Sequence, residues 1–71
     1  MMIENIQEHL RLHLLKHLHF RFNGARNQIE EFDGYITYLY PRIFTIKLDN
    51  GITRSFSYSD VMTKNLEIID I

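Results

Sequence analysis

The chain has 71 residues, and 8 Lys and Arg side chains against 9 Asp and Glu side chains give a formal net charge of −1. A chain this short buries only about 60% of the surface that its unfolded form exposes, so the length predicts one domain with a thin core. The sequence has no cysteine, which excludes disulfides, thiolate metal ligands and cysteine nucleophiles. The near-neutral charge argues against strongly electrostatic binding of nucleic acid.

The sequence favours a cytoplasmic protein that does not enter a membrane. No apolar run approaches the roughly 20 residues that span a bilayer. Glu4 and Glu8 lie where a signal peptide would be basic and then apolar. Residues 1–26 carry a net charge of +2 and residues 27–71 a net charge of −3, which is too mild an asymmetry to indicate a partner.

A helix is predicted at the N-terminal end of the chain. Apolar residues recur there at spacings of three and four, which is typical of one helix face. This face consists of Ile3, Ile6, Leu10 and Leu14. In the next segment, HLHFRF, apolar and polar residues alternate as in a half-buried strand. The change of period predicts a helix over residues 1–16 and a strand-rich unit over residues 17–71.

Four further strands are predicted after the polar loop NGARNQ. Their sequences are YITYLY (residues 35–40), IFTIKL (43–48), ITRSFSY (52–58) and LEIIDI (66–71). Pro41 ends the first of these because proline cannot donate to a strand ladder. Five short strands predict a mostly β fold, a small five-stranded SH3-like barrel preceded by a short N-terminal α-helix. The helix is expected to cover one open end of the barrel.

The hairpin between the third and fourth strands has a preferred register. A three-residue loop places Ile46 opposite Arg54 and Phe44 opposite Phe56, which puts most apolar residues on one face. A two-residue loop places apolar residues opposite polar ones. We therefore predict a bulged turn with Gly51 in the left-handed conformation. Arg54 is expected at the rim, with its stem packed and its head in solvent.

The segment FSYSDVMT (residues 56–63) is either a catalytic cluster or a corner of the chain. Ser57, Ser59 and Asp60 have no histidine nearby in sequence that could act as a base. Ser59 before Asp60 suits a capped helical turn, because a serine oxygen can accept from the free amides at its start. We interpret the segment as a corner and expect no catalytic residue.

One set of possible metal ligands and one set of possible paired carboxylates are present. The histidines His9, His13 and His17 are spaced by four residues, and on one continuous helix they would stack on a single face, as in zinc sites. His17 also belongs to the alternating pattern of the predicted strand. We therefore favour the interpretation that these histidines lie on a solvated flank of the helix. We interpret three carboxylates as a solvated loop flank: Glu30, Glu31 and Asp33. We expect neither a metal nor another cofactor.

Tyrosines crowd the predicted second strand and occupy both of its faces. They are Tyr35, Tyr38 and Tyr40. Small barrels bind single-stranded nucleic acid with aromatic faces beside a basic groove, and Arg21, Arg26 and Arg42 could line such a groove. The alternative, which we favour, is that the tyrosines fill a thin core and its rim or a dimer interface.

Several short motifs in residues 16–66 keep a distinctive order and spacing. Their residues are Asn23, Gly24, Gly34, Tyr40, Pro41, Phe44, Ile46, Leu48, Ser57, Tyr58, Asp60 and Val61. In this order and spacing the chain resembles the Veg family, small cytoplasmic proteins of Gram-positive bacteria. The resemblance implies an SH3-like barrel behind a short helix. It also implies stimulation of biofilm formation through regulation of matrix genes, without an enzymatic reaction, and it supplies no catalytic residues.

The chain departs from the family pattern at two places. The loop after Asn-Gly tends to be basic in the family, whereas here Arg26 is its one cation. A role of this loop in binding phosphate is correspondingly weaker. Arg54 stands where the family tends to have an apolar residue, which affects the rim of the predicted barrel.

Two functions remain open from the sequence. The first is a non-enzymatic regulatory protein that binds a protein partner, expected to be a transcriptional regulator. The second is a small barrel that binds nucleic acid with an affinity that falls steeply with salt. The candidate partner-binding residues are Arg21, Asn23, Gly24, Arg26, Tyr38, Tyr40, Pro41 and Arg42. Both functions are expected to accompany self-association as a homodimer, because the core is thin and the helix carries an apolar stripe.

Overall fold

The structure is a computed structural model that describes residues 3–25 and 28–69. Its elements in chain order are α1 (Ile3–Arg11), β1 (His17–Asn23), β2 (Ile29–Leu39), β3 (Ile43–Leu48), β4 (Thr53–Ser57), α2 (Tyr58–Met62) and β5 (Leu66–Ile68). The predicted mostly β fold with five strands and an N-terminal helix is confirmed. The last two residues of the predicted fifth strand lie outside the described residues.

The five strands form one antiparallel sheet in the order β4-β3-β2-β1-β5. Over residues 3–25 and 28–69, β4 and β5 are the two edges, and no ladder joins them. The sheet is therefore open, and closure into an SH3-like barrel is not shown.

Strand β2 holds the sheet together because it pairs with β1 along its first half and with β3 along its second half. Gly34 lies where the halves meet, opposite both Leu18 and Leu48. A Cβ atom at Gly34 would lie 2.4 Å from the backbone oxygen of Lys47, so this approach of two strands requires glycine.

The start of β2 differs from the prediction. Residues 29–34 were expected to be loop, but the strand begins at Ile29. The polar sequence there gives a weak strand signal, and the segment is extended because it pairs with β1 from Asn23 opposite Ile29 onward. Glu30, Glu31 and Asp33 therefore belong to a strand and not to a solvated loop.

The core takes at least one residue from every helix and strand. Its members are Ile6, Leu10, Leu18, Phe20, Ile36, Phe44, Ile46, Phe56, Tyr58 and Leu66. Helix α1 contributes the first two of these and contacts α2 and β2. The apolar stripe of the helix is thus buried within the chain's own fold at Ile6 and Leu10.

Helix α1 ends at Arg11, before the expected end near Leu15 or Lys16. Turns follow, in which the His13 amide donates to the Leu10 carbonyl at 3.0 Å. Leu15 then adopts a left-handed φ of 62° and donates its amide to the Ile36 carbonyl of β2 at 3.0 Å. This bond to the sheet ends the helical path, although the apolar spacing continues to Leu14.

The predicted hairpin register is confirmed. Ile46 lies opposite Arg54 and Phe44 opposite Phe56, and Gly51 has a φ of +89°. The turn closes with a bond of 2.8 Å from the Leu48 amide to the Ile52 carbonyl.

The corner at α2 is confirmed, but its capping residue was predicted wrongly. Ser57, and not Ser59, is the N-cap. The Ser57 hydroxyl accepts from the Asp60 amide, and the Asp60 carboxylate accepts from the Ser57 amide, each at 3.2 Å. This capping box has Asp60 in the position that glutamate usually takes, and it uses the side chains that a catalytic interpretation would have needed.

Candidate functional site

The turn between β2 and β3 is anchored to the two helices by hydrogen bonds to the backbone of Tyr40. The Tyr40 amide donates to the Ile43 carbonyl at 2.8 Å. The Tyr40 carbonyl accepts from the Tyr58 hydroxyl and from Gln7 Nε2, the latter at 3.2 Å. Because Tyr58 is fully buried and Gln7 belongs to α1, the turn is fixed to both helices.

Four candidate residues lie at the end of β2 and on this turn, and we call them the tyrosine surface: Tyr38, Tyr40, Pro41 and Arg42. All four are exposed, and Tyr38 and Tyr40 are 65% and 46% accessible. Their ring centroids lie 6.2 Å apart at an angle of 36°. A register shift between Ile36 and Tyr38 aims Tyr38 outward.

The remaining candidates lie at the opposite end of β2. Asn23 pairs with Ile29, at the start of β2, whereas Tyr38 lies near its end. At about 3.3 Å per residue, the strand separates these two groups widely. Arg21 and Gly24 lie beside Asn23, and Arg26 lies outside the described residues. The structure thus brings the tyrosine surface together but does not join it to the Asn-Gly loop.

The outer face of β1 carries a charged cluster that the sequence interpretation missed. His17, His19 and Arg21 alternate along this face, and we call them, with their acidic neighbours Glu31, Asp33 and Asp49, the histidine face. His17 Nε2 lies 2.9 Å from Asp49 Oδ2. The ring of His17 also contacts that of Tyr35, with centroids 5.2 Å apart.

His19 contacts a carboxylate through each ring nitrogen. Nδ1 lies 2.7 Å from Asp33 Oδ1, and Nε2 lies 2.7 Å from Glu31 Oε1. The hydrogen bond with Glu31, and next that with Asp33, raises the pKa of His19 above its usual value. The same bond from His19 lowers the pKa of Glu31. The sequence did not predict this cluster because residues 29–33 were expected to form a loop, and their pairing with β1 is what brings the carboxylates beside His19.

The three histidines spaced by four residues do not form the single helical face considered above. The rings of His9 and His13 lie 5.0 Å apart, and His13 Nδ1 lies 2.9 Å from the His9 carbonyl oxygen. His17 belongs to β1 and contacts Asp49 instead. Over residues 3–25 and 28–69, no group of three or more histidines or carboxylates could hold a metal ion.

The guanidinium group of Arg54 packs over aromatic rings of the sheet, whereas the sequence predicted that it would lie in solvent. Its guanidinium carbon lies 5.0 Å from the ring centroid of Phe56, and Phe22 and Phe32 are within 5.6 Å. Its Nη1 donates to Glu30 Oε2 at 3.0 Å. The stem is packed as expected, but the head is stacked on rings and paired with a carboxylate.

The described residues therefore define a small, mostly β protein, with two short helices, that presents an exposed tyrosine surface. No helix in this part of the chain is both long enough and apolar enough to cross a membrane. A family model described as "Biofilm formation stimulator VEG" matches residues 1–69 of the 71-residue chain, and the chain belongs to this family. No curated protein matches the chain. The family resemblance noted from the short motifs is thus confirmed.

Proposed function

We propose that this protein is a non-enzymatic cytoplasmic regulator that stimulates biofilm formation by binding a protein partner, and that this binding changes the transcription of matrix genes. The family membership supports the biological process. The observation that carries the binding role is the tyrosine surface, in which two exposed rings, a proline and an arginine lie at the end of β2 and on the turn after it. A transcriptional regulator is the class of partner that fits an effect on matrix genes.

The chemistry of this surface supports recognition of a protein. Tyrosine and arginine are enriched at interfaces and among the residues that contribute most to binding energy. The bonds from Tyr58 and Gln7 to the Tyr40 carbonyl hold the turn in place before a partner arrives. A surface that is already ordered loses less conformational entropy on binding, which raises affinity.

The SH3-like barrel is part of the same proposal. Its support is the strand order, the position of α2 between β4 and β5, and the bond between Glu30 of β2 and Arg54 of β4. This bond joins two strands that are not neighbours in the sheet, as expected if the sheet curls around one interior. Nuclear Overhauser contacts between β4 and β5 would establish closure, and a solution structure without them would contradict it.

The binding role is tested by capture of partners from lysate of a biofilm-forming host. The variant Tyr38→Ala/Arg42→Ala removes a ring and a charge from the tyrosine surface. Ile52→Ala is the matched control, because it removes exposed apolar area from the turn between β3 and β4. We expect capture of specific partners to be lost with the double variant and retained with the control. Unchanged capture with the double variant would show that the partner binds elsewhere.

Binding of single-stranded nucleic acid is the second candidate function. The observation that favours it is the spacing of 6.2 Å between the exposed Tyr38 and Tyr40 rings, on a surface that also carries the exposed residue Arg42. Bases can stack on such rings. Fluorescence anisotropy with labelled oligonucleotides at low and physiological salt tests this candidate. It predicts binding that weakens steeply with salt, and flat curves at both salt concentrations would remove it.

A further inference from the structure

The contacts of His19 specify its protonation state. An ionised carboxylate can only accept hydrogen bonds, and a neutral imidazole has one N–H to donate. His19 has a carboxylate oxygen at 2.7 Å from each of its two ring nitrogens. Both contacts are satisfied together only when the ring is an imidazolium, which donates from both nitrogens.

The two carboxylates belong to the neighbouring strand, so the imidazolium joins β1 to β2. Asp33 lies directly opposite His19, and Glu31 lies opposite Arg21, two residues along the same face. The side chain of His19 is 30% accessible, and those of its two partners are about half accessible. The contacts are thus open to exchange of protons with solvent.

Other charged groups of the described residues surround this contact. His17 and Arg21 flank His19 on β1, and Asp49 from the turn after β3 contacts His17. Glu67 of β5 lies opposite Arg21 on its other side. Arg21 is therefore the fixed cation nearest in register to Glu31.

We propose that His19 is a pH-sensitive clamp that fastens β1 to β2 when protonated and releases one of its two carboxylates when it loses the proton. Release leaves Glu31 and Asp33 with a single donor between them and makes the outer face of the hairpin more negative. Arg21 is then the cation left to compensate Glu31. The clamp acts on the hairpin that carries Arg21 and the Asn-Gly loop, at the end of β2 away from the tyrosine surface.

The direction of the pH effect follows from the pKa changes. The pKa of His19 is raised in the folded protein, mainly by Glu31. Its stabilising contribution is therefore complete below the ordinary histidine pKa of 6.5 and is lost as the pH rises through the raised value. The pKa of Glu31 is lowered, so its contribution is lost at the acid end, as the pH falls through that value. The clamp is strongest in mildly acidic solution.

The first test is an NMR titration of the histidine side chains through their long-range proton–nitrogen couplings. Below its midpoint His19 should show both ring nitrogens protonated, and the midpoint should lie above that of free histidine in the same buffer. Glu31→Gln and Asp33→Asn should each lower the midpoint, because each replaces an anionic acceptor with a neutral amide. A midpoint at the free-histidine value, or one that neither variant moves, would overturn the proposal.

The second test is amide hydrogen exchange, expressed as protection factors so that the intrinsic pH dependence of exchange is removed. In the wild-type protein, protection in the β1–β2 hairpin should fall severalfold as the pH rises through the His19 midpoint. His19→Gln should remove this pH dependence, and His9→Gln, a change of an exposed histidine on α1, should leave it intact. Protection that stays constant while His19 titrates would show that the residue is not a clamp.

Discussion

Gly34 is paired on both sides, with Leu18 of β1 and with Leu48 of β3. The Cβ of an alanine there would lie 2.4 Å from the Lys47 carbonyl oxygen, and both groups belong to paired backbones that cannot move independently. Forcing extra atoms into a packed site costs about 1 to 3 kcal/mol. We expect Gly34→Ala to lower the free energy of unfolding by that amount or more, as measured by urea denaturation.

Gly24 provides the control for this substitution. A Cβ there would lie 3.4 Å from the Gln28 carbonyl oxygen, which is an ordinary contact. Gly24→Ala should therefore change the unfolding free energy far less than Gly34→Ala. Equal effects would mean that the general loss of a glycine, and not the strand approach, determines the result.

Arg11 and Arg54 together test whether the ion pair or the packing of an arginine contributes more to the stability of the fold. Arg11 contacts Glu8 at 2.7 Å on the exposed face of α1, and Arg54 contacts Glu30 at 3.0 Å while lying over three phenylalanine rings. Exposed pairs contribute about 0.5 kcal/mol or less, whereas packed stems and cation–π contacts add about 1 to 2 kcal/mol. We expect Arg54→Ala to be clearly destabilising in thermal unfolding and Arg11→Ala to be nearly neutral. A larger loss of stability in Arg11→Ala than in Arg54→Ala would contradict this expectation, because the shorter ion-pair distance would then determine the effect.

Arg54 also shows how far single residues could be predicted. Its place beside the apolar residues followed from the hairpin register, so its packed stem was foreseeable. Its partner Glu30 was not, because that residue was assigned to a loop. The contact depends on the curl of the sheet, which brings β2 and β4 together, and no local pattern encodes that curl.

At the scale of single elements, α2 begins with a cap that can be tested directly. Ser57 accepts from the Asp60 amide, which would otherwise lack a partner at the start of the helix. Loss of an N-cap costs about 1 kcal/mol. We expect Ser57→Ala to lower the unfolding free energy by this amount, whereas Ser59→Ala, which removes an exposed hydroxyl within the helix, should have little effect. If Ser59→Ala were the more damaging change in chemical denaturation, the cap would be misassigned.

The elements that were predicted correctly are those in which only one register brings the apolar residues to the same face. Only a three-residue loop pairs Phe44 with Phe56, so the β3–β4 hairpin was fixed by its own residues. The start of β2 and the end of α1 depend on partners far away in the sequence. Residues 29–34 are extended because β1 pairs with them, and α1 ends where Leu15 bonds to Ile36 of β2. Tertiary hydrogen bonds override local patterns at both places.

At the scale of the whole molecule, the structure changes the basis for self-association. The apolar stripe of α1 was one reason to expect a homodimer, but its residues Ile6 and Leu10 are buried in the chain's own core. The thin core remains a reason, and so do two leucines in the turn between α1 and β1. Leu12 and Leu15 are each 71% accessible. We therefore locate the expected dimer contact at this turn.

The dimer is tested by sedimentation at micromolar concentration, where we expect self-association that depends on concentration. Burial of one leucine contributes about 1.5 to 3 kcal/mol, and about 1.4 kcal/mol corresponds to a tenfold change in affinity. The variant Leu12→Gln/Leu15→Gln should thus weaken the dimer by more than tenfold. Ile29→Gln, which changes an exposed residue at the start of β2, should leave it intact. A wild-type protein that sediments only as a monomer would end the expectation, and a dimer weakened by Ile29→Gln alone would move the contact to the start of β2.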